Sequence, residues 1–233
     1  MISKIRLQKF LSERGIDSRR NCAEIIKKGL ITVNGVITTE PGFHVDPDDD
    51  SICFQGKHVS KTKEKKRTIA LYKPRGYICS TSDKDGKTVY ELIKDIPERL
   101  LPVGRLDKDS EGLLLMSNDG DLINRLTHPR YEHEKTYEVT VSGTVDNKII
   151  DLLQSRLLID GYRIQPAKVK FLRQIPDSNR TLLEFRLKEG RNRQIRKMCE
   201  LANLNIHRLI RKKTGNVSLT GLKPGKWREI NVH

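Results

Sequence analysis

Residues 103–120 read VGRLDKDSEGLLLMSNDG and stand apart from the rest of the 233-residue chain. Four carboxylates, Asp107, Asp109, Glu111 and Asp119, crowd around the apolar run Leu113-Leu114-Leu115-Met116. A short apolar run bounded by turn formers predicts a buried strand. A carboxylate beside such a strand is either pushed toward neutrality by desolvation or held ionised by a nearby guanidinium. Spacing alone leaves two readings open: an ordinary acidic turn leading into a strand, or a carboxylate that carries chemistry.

A source of cations lies downstream, in EGRNRQIRKM at 189–198. Arg191, Arg193, Arg196 and Lys197 crowd the start of a helix expected over 192–202. Positive charge there opposes the helix dipole, so helix stability does not explain it. A phosphate or a buried carboxylate would; a solvated basic helix face is the alternative. A third segment, Lys135-Thr136-Tyr137-Glu138-Val139, opens a strand. Aromatics are only 5% of the chain, so a Tyr among polar residues is noticeable, although such a ring is often just half-buried with a wet hydroxyl.

Around these segments the pattern from Thr68 onward is mixed. TIALYKP, KTYEVTVSG, AKVKFL and TLLEFRL read as strands, and helices are expected at 89–94, 120–126 and 146–155. The class is α+β with mainly antiparallel strands over 68–233. Upstream, Ile5, Leu7, Phe10 and Leu11 have near-helical spacing, with Ser3 as N-cap and Gly15 as a stop. Ser18 caps a second expected helix, with Cys22, Ile25 and Ile26 inward and Gly29 at its end. LITVNGVIT follows, two strand runs flanking the hairpin turn Asn34-Gly35. Residues 1–55 therefore make a small helix–helix–hairpin domain. Residues 56–67, GKHVSKTKEKKR, read as a charged linker.

The formal net charge is +15 and is unevenly spread. Residues 1–30 carry +5, 31–60 carry −4, 61–75 carry +6, 186–213 carry +8, and the remainder is neutral. Segmental excess of this kind suits side chains that track a phosphate backbone. A membrane surface is a weaker reading, because the basic run at 61–67 has no apolar anchor beside it. No stretch of eighteen apolar residues occurs and the first residues lack a signal-peptide core, so a cytoplasmic location is expected. Cys22, Cys53, Cys79 and Cys199 form no CxxC pair, and His128 and His133 have no ligand partners at zinc spacing. Gly86-Lys87-Thr88 imitates a phosphate-binding loop, but Thr81 stands where that motif requires glycine.

Gly104-Arg105-Leu106-Asp107, then Asp109-Ser110-x-Gly112-Leu-Leu-Leu and Asn118-Asp119-Gly120, resemble the catalytic motif of rRNA pseudouridine synthases of the RsuA type. Lys73-Pro74-x-Gly76, Lys135-x-Tyr137, the run from Gly190 to Met198, and the closing Gly221–Arg228 segment are similar to the family's other motifs, in the family's order. Residues 3–50 resemble the α-L RNA-binding module shared with a small-subunit ribosomal protein.

The resemblance implies isomerisation of one uridine of ribosomal RNA, a redox-neutral rearrangement that needs no cofactor and no metal. It implies Asp107 as the catalytic carboxylate, attacking the ribose or removing a proton from it. Arg196 is the implied partner that keeps Asp107 ionised, with Arg193 second. Tyr137 is implied to stack on the base. Arg105, Lys73, Arg191 and Arg193 are implied RNA contacts, with Lys73 alternatively supporting the site. Arg6, Lys9, Arg19, Arg20 and Lys27 supply phosphate contacts from the small domain. The partner is ribosomal RNA or an assembly intermediate, and the chain is expected to act as a monomer. HEKTY and Asn216-Val217-Ser218-Leu219 lean toward large-subunit members. The small-subunit enzyme, or a ribosome-assembly factor that binds RNA without catalysis, are the alternatives.

Overall fold

The computed structural model describes residues 4–62, 64–84 and 86–232 and divides the chain between Lys66 and Arg67. In the first unit β1 (Ile5–Arg6) leads into α1 (Leu7–Ser12) and α2 (Arg19–Lys27). Five short strands follow: β2 (Ile31–Val33), β3 (Val36–Ile37), β4 (His44–Val45), β5 (Ile52–Phe54) and β6 (Lys57–His58). Leu7, Phe10, Leu11, Cys22, Ile26, Ile31 and Val45 make its core. Ser18 caps α2 by accepting from Asn21 N at 3.1 Å, and Gly29 follows at φ +69°. Asn34 and Gly35 both have positive φ, and the hairpin pairs Val33 with Val36.

Two details differ from expectation. The first helix starts at Leu7, because Ile5 and Arg6 are drawn into a ladder with Val45 and His44. Arg6 is then the N-cap; Ser3 lies outside the described residues. The expected linker also begins too early. Lys57 and His58 pair with Phe54 and Cys53, and Val59 is buried in the core, so these residues belong to the small unit.

The second unit begins with β7 (Thr68–Lys73), β8 (Leu101–Val103), β9 (Glu111–Ser117), α3 (Gly120–Thr127) and β10 (Lys135–Ser142). It continues through α4 (Asn147–Gln154), β11 (Leu158–Ile159), β12 (Tyr162–Arg163), β13 (Lys168–Ile175) and β14 (Arg180–Leu187). It closes with α5 (Gln194–Leu201), β15 (Ile206–Thr214), β16 (Val217–Ser218) and β17 (Trp227–Glu229). One nine-stranded sheet runs β13-β14-β10-β15-β9-β7-β17, with β16 on β15 and β8 on β9. Among the described residues every strand pairing in it is antiparallel except β9 with β15.

The unbroken apolar run of β9 has a physical cause. Leu114 and Met116 face the main core with Ile69 and Leu71, while Leu113 and Leu115 face a second core with Ala70 and Tyr72. A strand buried on both faces needs no polar alternation. β10 and β14 bury one face, and there alternate residues such as Val139, Val141, Leu183 and Phe185 point to the main core. The helix expected at 89–94 is a five-residue 3-10 turn, Val89–Ile93, capped by Thr88 and Glu91. Pro97 follows too closely for an α-helix to propagate. No helix of the described residues is long and apolar enough to cross a membrane.

Candidate active site

Asp107 sits in the loop that connects β8 to β9. Leu106 anchors this loop in the core, and its main chain meets the Cys79 thiol. Ser110 N donates to Asp107 O at 3.1 Å, and Gly76 N to Lys108 O at 2.8 Å. Lys73 is 0% exposed, and its Nζ donates to the carbonyls of Pro74 (3.1 Å), Asp107 (3.0 Å) and Ser110 (2.7 Å). Burial pushes its pKa down to about 8. The expectation that Lys73 touches RNA is therefore corrected: the ammonium is enclosed and holds the loop.

So braced, the loop turns the Asp107 carboxylate toward a cavity of about 510 Å³ lined wholly by the second unit. Arg193 Nη1 lies 3.9 Å and Arg196 Nε 4.0 Å from Asp107 Oδ2. Both arginines come from the start of α5, whose Ile195, Met198, Cys199 and Ala202 dock on the core at helical spacing. Arg193 is the N-cap residue, at φ 53° and ψ 29°. A non-glycine residue in that left-handed region stores strain, which is concentrated at working sites. Arg196 Nη2 donates to Ser110 Oγ at 3.2 Å, while its Nε is buried with no hydrogen-bond partner among the described residues. Burial and the neighbouring Arg193 charge lower the Arg196 pKa.

Tyr137, on β10, is buried and lines the same cavity, as do Arg105 and Arg191. Asp107, Tyr137 and Arg196, expected from three separate motifs, thus meet in one place. Of the other acids of the first-read stretch, Asp119 and Glu111 have partners of their own, while Asp109 shares Arg193 with Asp107. Asp119 caps α3 by accepting from Asp121 N and Leu122 N, and Asp109 lies 3.8 Å from Arg193. Glu111 takes a two-pronged bond from Arg208 at 2.7 and 3.1 Å and accepts from the Tyr72 hydroxyl at 3.3 Å. Burial raises the Glu111 pKa, but Arg208 and Tyr72 together outweigh it and leave it below the ordinary value.

The profile of the RNA pseudouridylate synthase family matches residues 67–201, and that of the S4 domain matches residues 5–51. The chain belongs to the RNA pseudouridylate synthase family. It is 38% identical to ribosomal large subunit pseudouridine synthase B of Bacillus subtilis, over 98% of this chain and 93% of that one. It is 35% identical to the dual-specificity RNA pseudouridine synthase RluF of Escherichia coli, over 98% of this chain and 76% of that one. A crystal structure of a pseudouridylate synthase superposes with a TM-score of 0.65 at 28% identity, covering 97% and 96% of the two chains.

Within this synthase, sequence reasoning passed over Arg211. It is buried at the cavity wall, where Nε donates to Leu113 O at 2.7 Å and Nη1 to Arg105 O at 3.4 Å. The one available signal was its place in the apolar run of β15, beside Leu209 and Ile210. Lys135 also lines the cavity, and burial followed by the Arg211 charge lowers its pKa. Gly112 makes the approach of β15 possible: at φ +109°, an added Cβ would stand 2.4 Å from Arg211 O. In the small unit Arg6, Arg19, Arg20 and Lys27 are exposed and Lys9 is half-buried. Lys27 pairs with Glu24 and Lys9 with Glu13 on the same helix faces.

Proposed function

We propose that the chain converts a uridine of ribosomal RNA, in the large subunit, to pseudouridine. The single observation that carries this is the Asp107 carboxylate, aimed into a basic cavity between Arg193, Arg196 and Tyr137. The N1–C1′ glycosidic bond breaks, uracil rotates, C5 bonds to C1′, and the proton lost from C5 is balanced by one gained at N1. Asp107 starts the sequence, by attack on C1′ or by removing the C2′ proton. The two guanidiniums face its carboxylate in a site that RNA closes to water. Tyr137 stacks on the uracil, which has left its helix. The large-subunit choice is supported by the Bacillus subtilis relative.

The S4 domain supplies sequence-tolerant phosphate contacts through Arg6, Lys9, Arg19, Arg20 and Lys27. One RNA needs no second copy of the binding domain, so the chain works as a monomer, in the cytoplasm with its ribosomal substrate. Tritium release from rRNA labelled at uracil C5 tests the reaction. Asp107→Asn is expected to abolish release and leave RNA binding within a few-fold. Activity retained in that variant would sink the assignment, and mapping pseudouridines with and without the gene identifies the subunit.

A further inference from the structure

The β11–β12 hairpin stands at the rim of the cavity and is not used by the chemistry assigned to Asp107. Its tip, Asp160-Gly161, has φ of 53° and 75°, the two-residue turn that matches strand twist. The hairpin is fixed from several sides. Ile159 and Ile164 are buried in the main core, Gln165 N donates to Glu189 Oε1 at 3.0 Å, and the Asp160 carboxylate pairs with Lys197 of α5. This rigid mount leaves Tyr162 41% exposed while it lines the cavity. The Arg191 guanidinium lies over its ring, 3.1 Å from the centroid.

Arg191 is held in turn. Its main-chain N donates to Gln194 Oε1 at 3.1 Å, and its Nε lies 3.8 Å from Glu189 Oε2. A guanidinium grips phosphate with its N–H edge and a base with its flat face. Here the Nε edge is turned to Glu189 and the guanidinium carbon sits over an aromatic ring, while the Arg191 side chain remains 44% exposed. When a nucleotide leaves its stack to enter a pocket, a neighbouring base loses a stacking partner. A rigid Tyr–Arg stack beside the pocket replaces it.

We propose that Tyr162 and Arg191 form a stacking platform for the base of the unpaired nucleotide next to the one in the cavity. This rests on the reading that RNA enters the cavity, and it adds the subsite that selects an unstacked flank. Stacking tolerates any base, so the platform selects RNA conformation rather than sequence.

The test uses the full-length protein and an RNA hairpin spanning the modified uridine, with 2-aminopurine replacing each neighbour in turn. At one neighbour the probe stays quenched on wild-type protein and brightens on Tyr162→Leu and on Arg191→Met, while Tyr162→Phe behaves as wild type. Removing that same base slows subsaturating single turnover about tenfold in wild type and slows Tyr162→Leu no further. Equal fluorescence in wild type and variants at both neighbours, or losses that simply multiply, overturns the platform. Absence of any pseudouridine formation by wild type overturns the functional reading instead. The platform is then decided by the fluorescence comparison on oligouridylate carrying 2-aminopurine.

Discussion

Lys73 Nζ lies 3.0 Å from the main-chain oxygen of Asp107, so a buried cation stands behind the residue whose carboxylate faces the cavity. Three carbonyls need the three N–H groups of the ammonium; the neutral amine has two. Single-turnover rate is therefore expected to fall as pH rises through about 8, the value to which burial lowers Lys73. Lys73→Met should be slower throughout and lack that limb. A wild-type profile flat across this pH removes the argument. Stability moves the other way. Between about 8 and the ordinary 10.5 the unfolded chain binds the extra proton, so folding is favoured as pH rises. Urea unfolding should show wild type gaining on Lys73→Met across that window, by roughly 3 kcal/mol at most.

Arg193 and Arg196 are almost equally far from Asp107, but their surroundings differ. The Arg196 side chain is 18% exposed and that of Arg193 44%. A charge acts more strongly through the less hydrated medium. Arg196→Met should lower the single-turnover rate about 100-fold and Arg193→Met about tenfold, order-of-magnitude values for lost charge stabilisation. The reverse order in rapid-quench assays would assign the main electrostatic role to Arg193.

The Glu111–Arg208 pair is lopsided, with side chains 9% and 51% exposed. Arg208→Met strands a buried carboxylate, whereas Glu111→Gln strands a cation that water can reach. We expect losses of about 2–3 and about 1 kcal/mol in urea unfolding, with Glu111→Leu/Arg208→Met recovering most of the larger loss. Because Glu111 is held below its ordinary value, its stabilisation is complete above the unfolded carboxylate value and fades as pH falls through the folded one.

Arg19 and Arg20 are exposed on the first turn of α2. Replacing each with Gln should weaken binding to structured RNA at low salt without changing which uridine reacts. Each should also flatten the plot of log binding constant against log salt by about 0.7–0.9. Unchanged salt slopes by filter binding would remove these residues from the interface.

What could be read from the sequence was local. Ser18 and Asn34-Gly35 act within a few residues, and the Leu113–Met116 run declares its own burial. The family resemblance named Asp107, Tyr137 and Arg196 from three motifs, and the fold lines one cavity with all three. Lys73 was left between RNA contact and support of the site for a physical reason: its acceptors are main-chain carbonyls, two of them 34 and 37 residues away, which every residue type possesses. Arg211 was missed likewise, since it bonds the carbonyl of Leu113, 98 residues away. The parallel seam was also hidden, because a strand buried on both faces does not announce its partner's direction.

That seam has a consequence for how the enzyme comes into being. Glu111 and Gly112 meet Ile210 and Arg211, so one cavity wall joins an early strand to a late one. At a synthesis rate of about 5–20 residues per second, roughly 5–20 s separate the making of Asp107 from that of Arg211. Through that interval a chain still attached to its ribosome carries the acid with no pocket around it. Such distant pairings also close slowly. Catalytic competence therefore waits for β15, even though the small RNA-binding domain is made first.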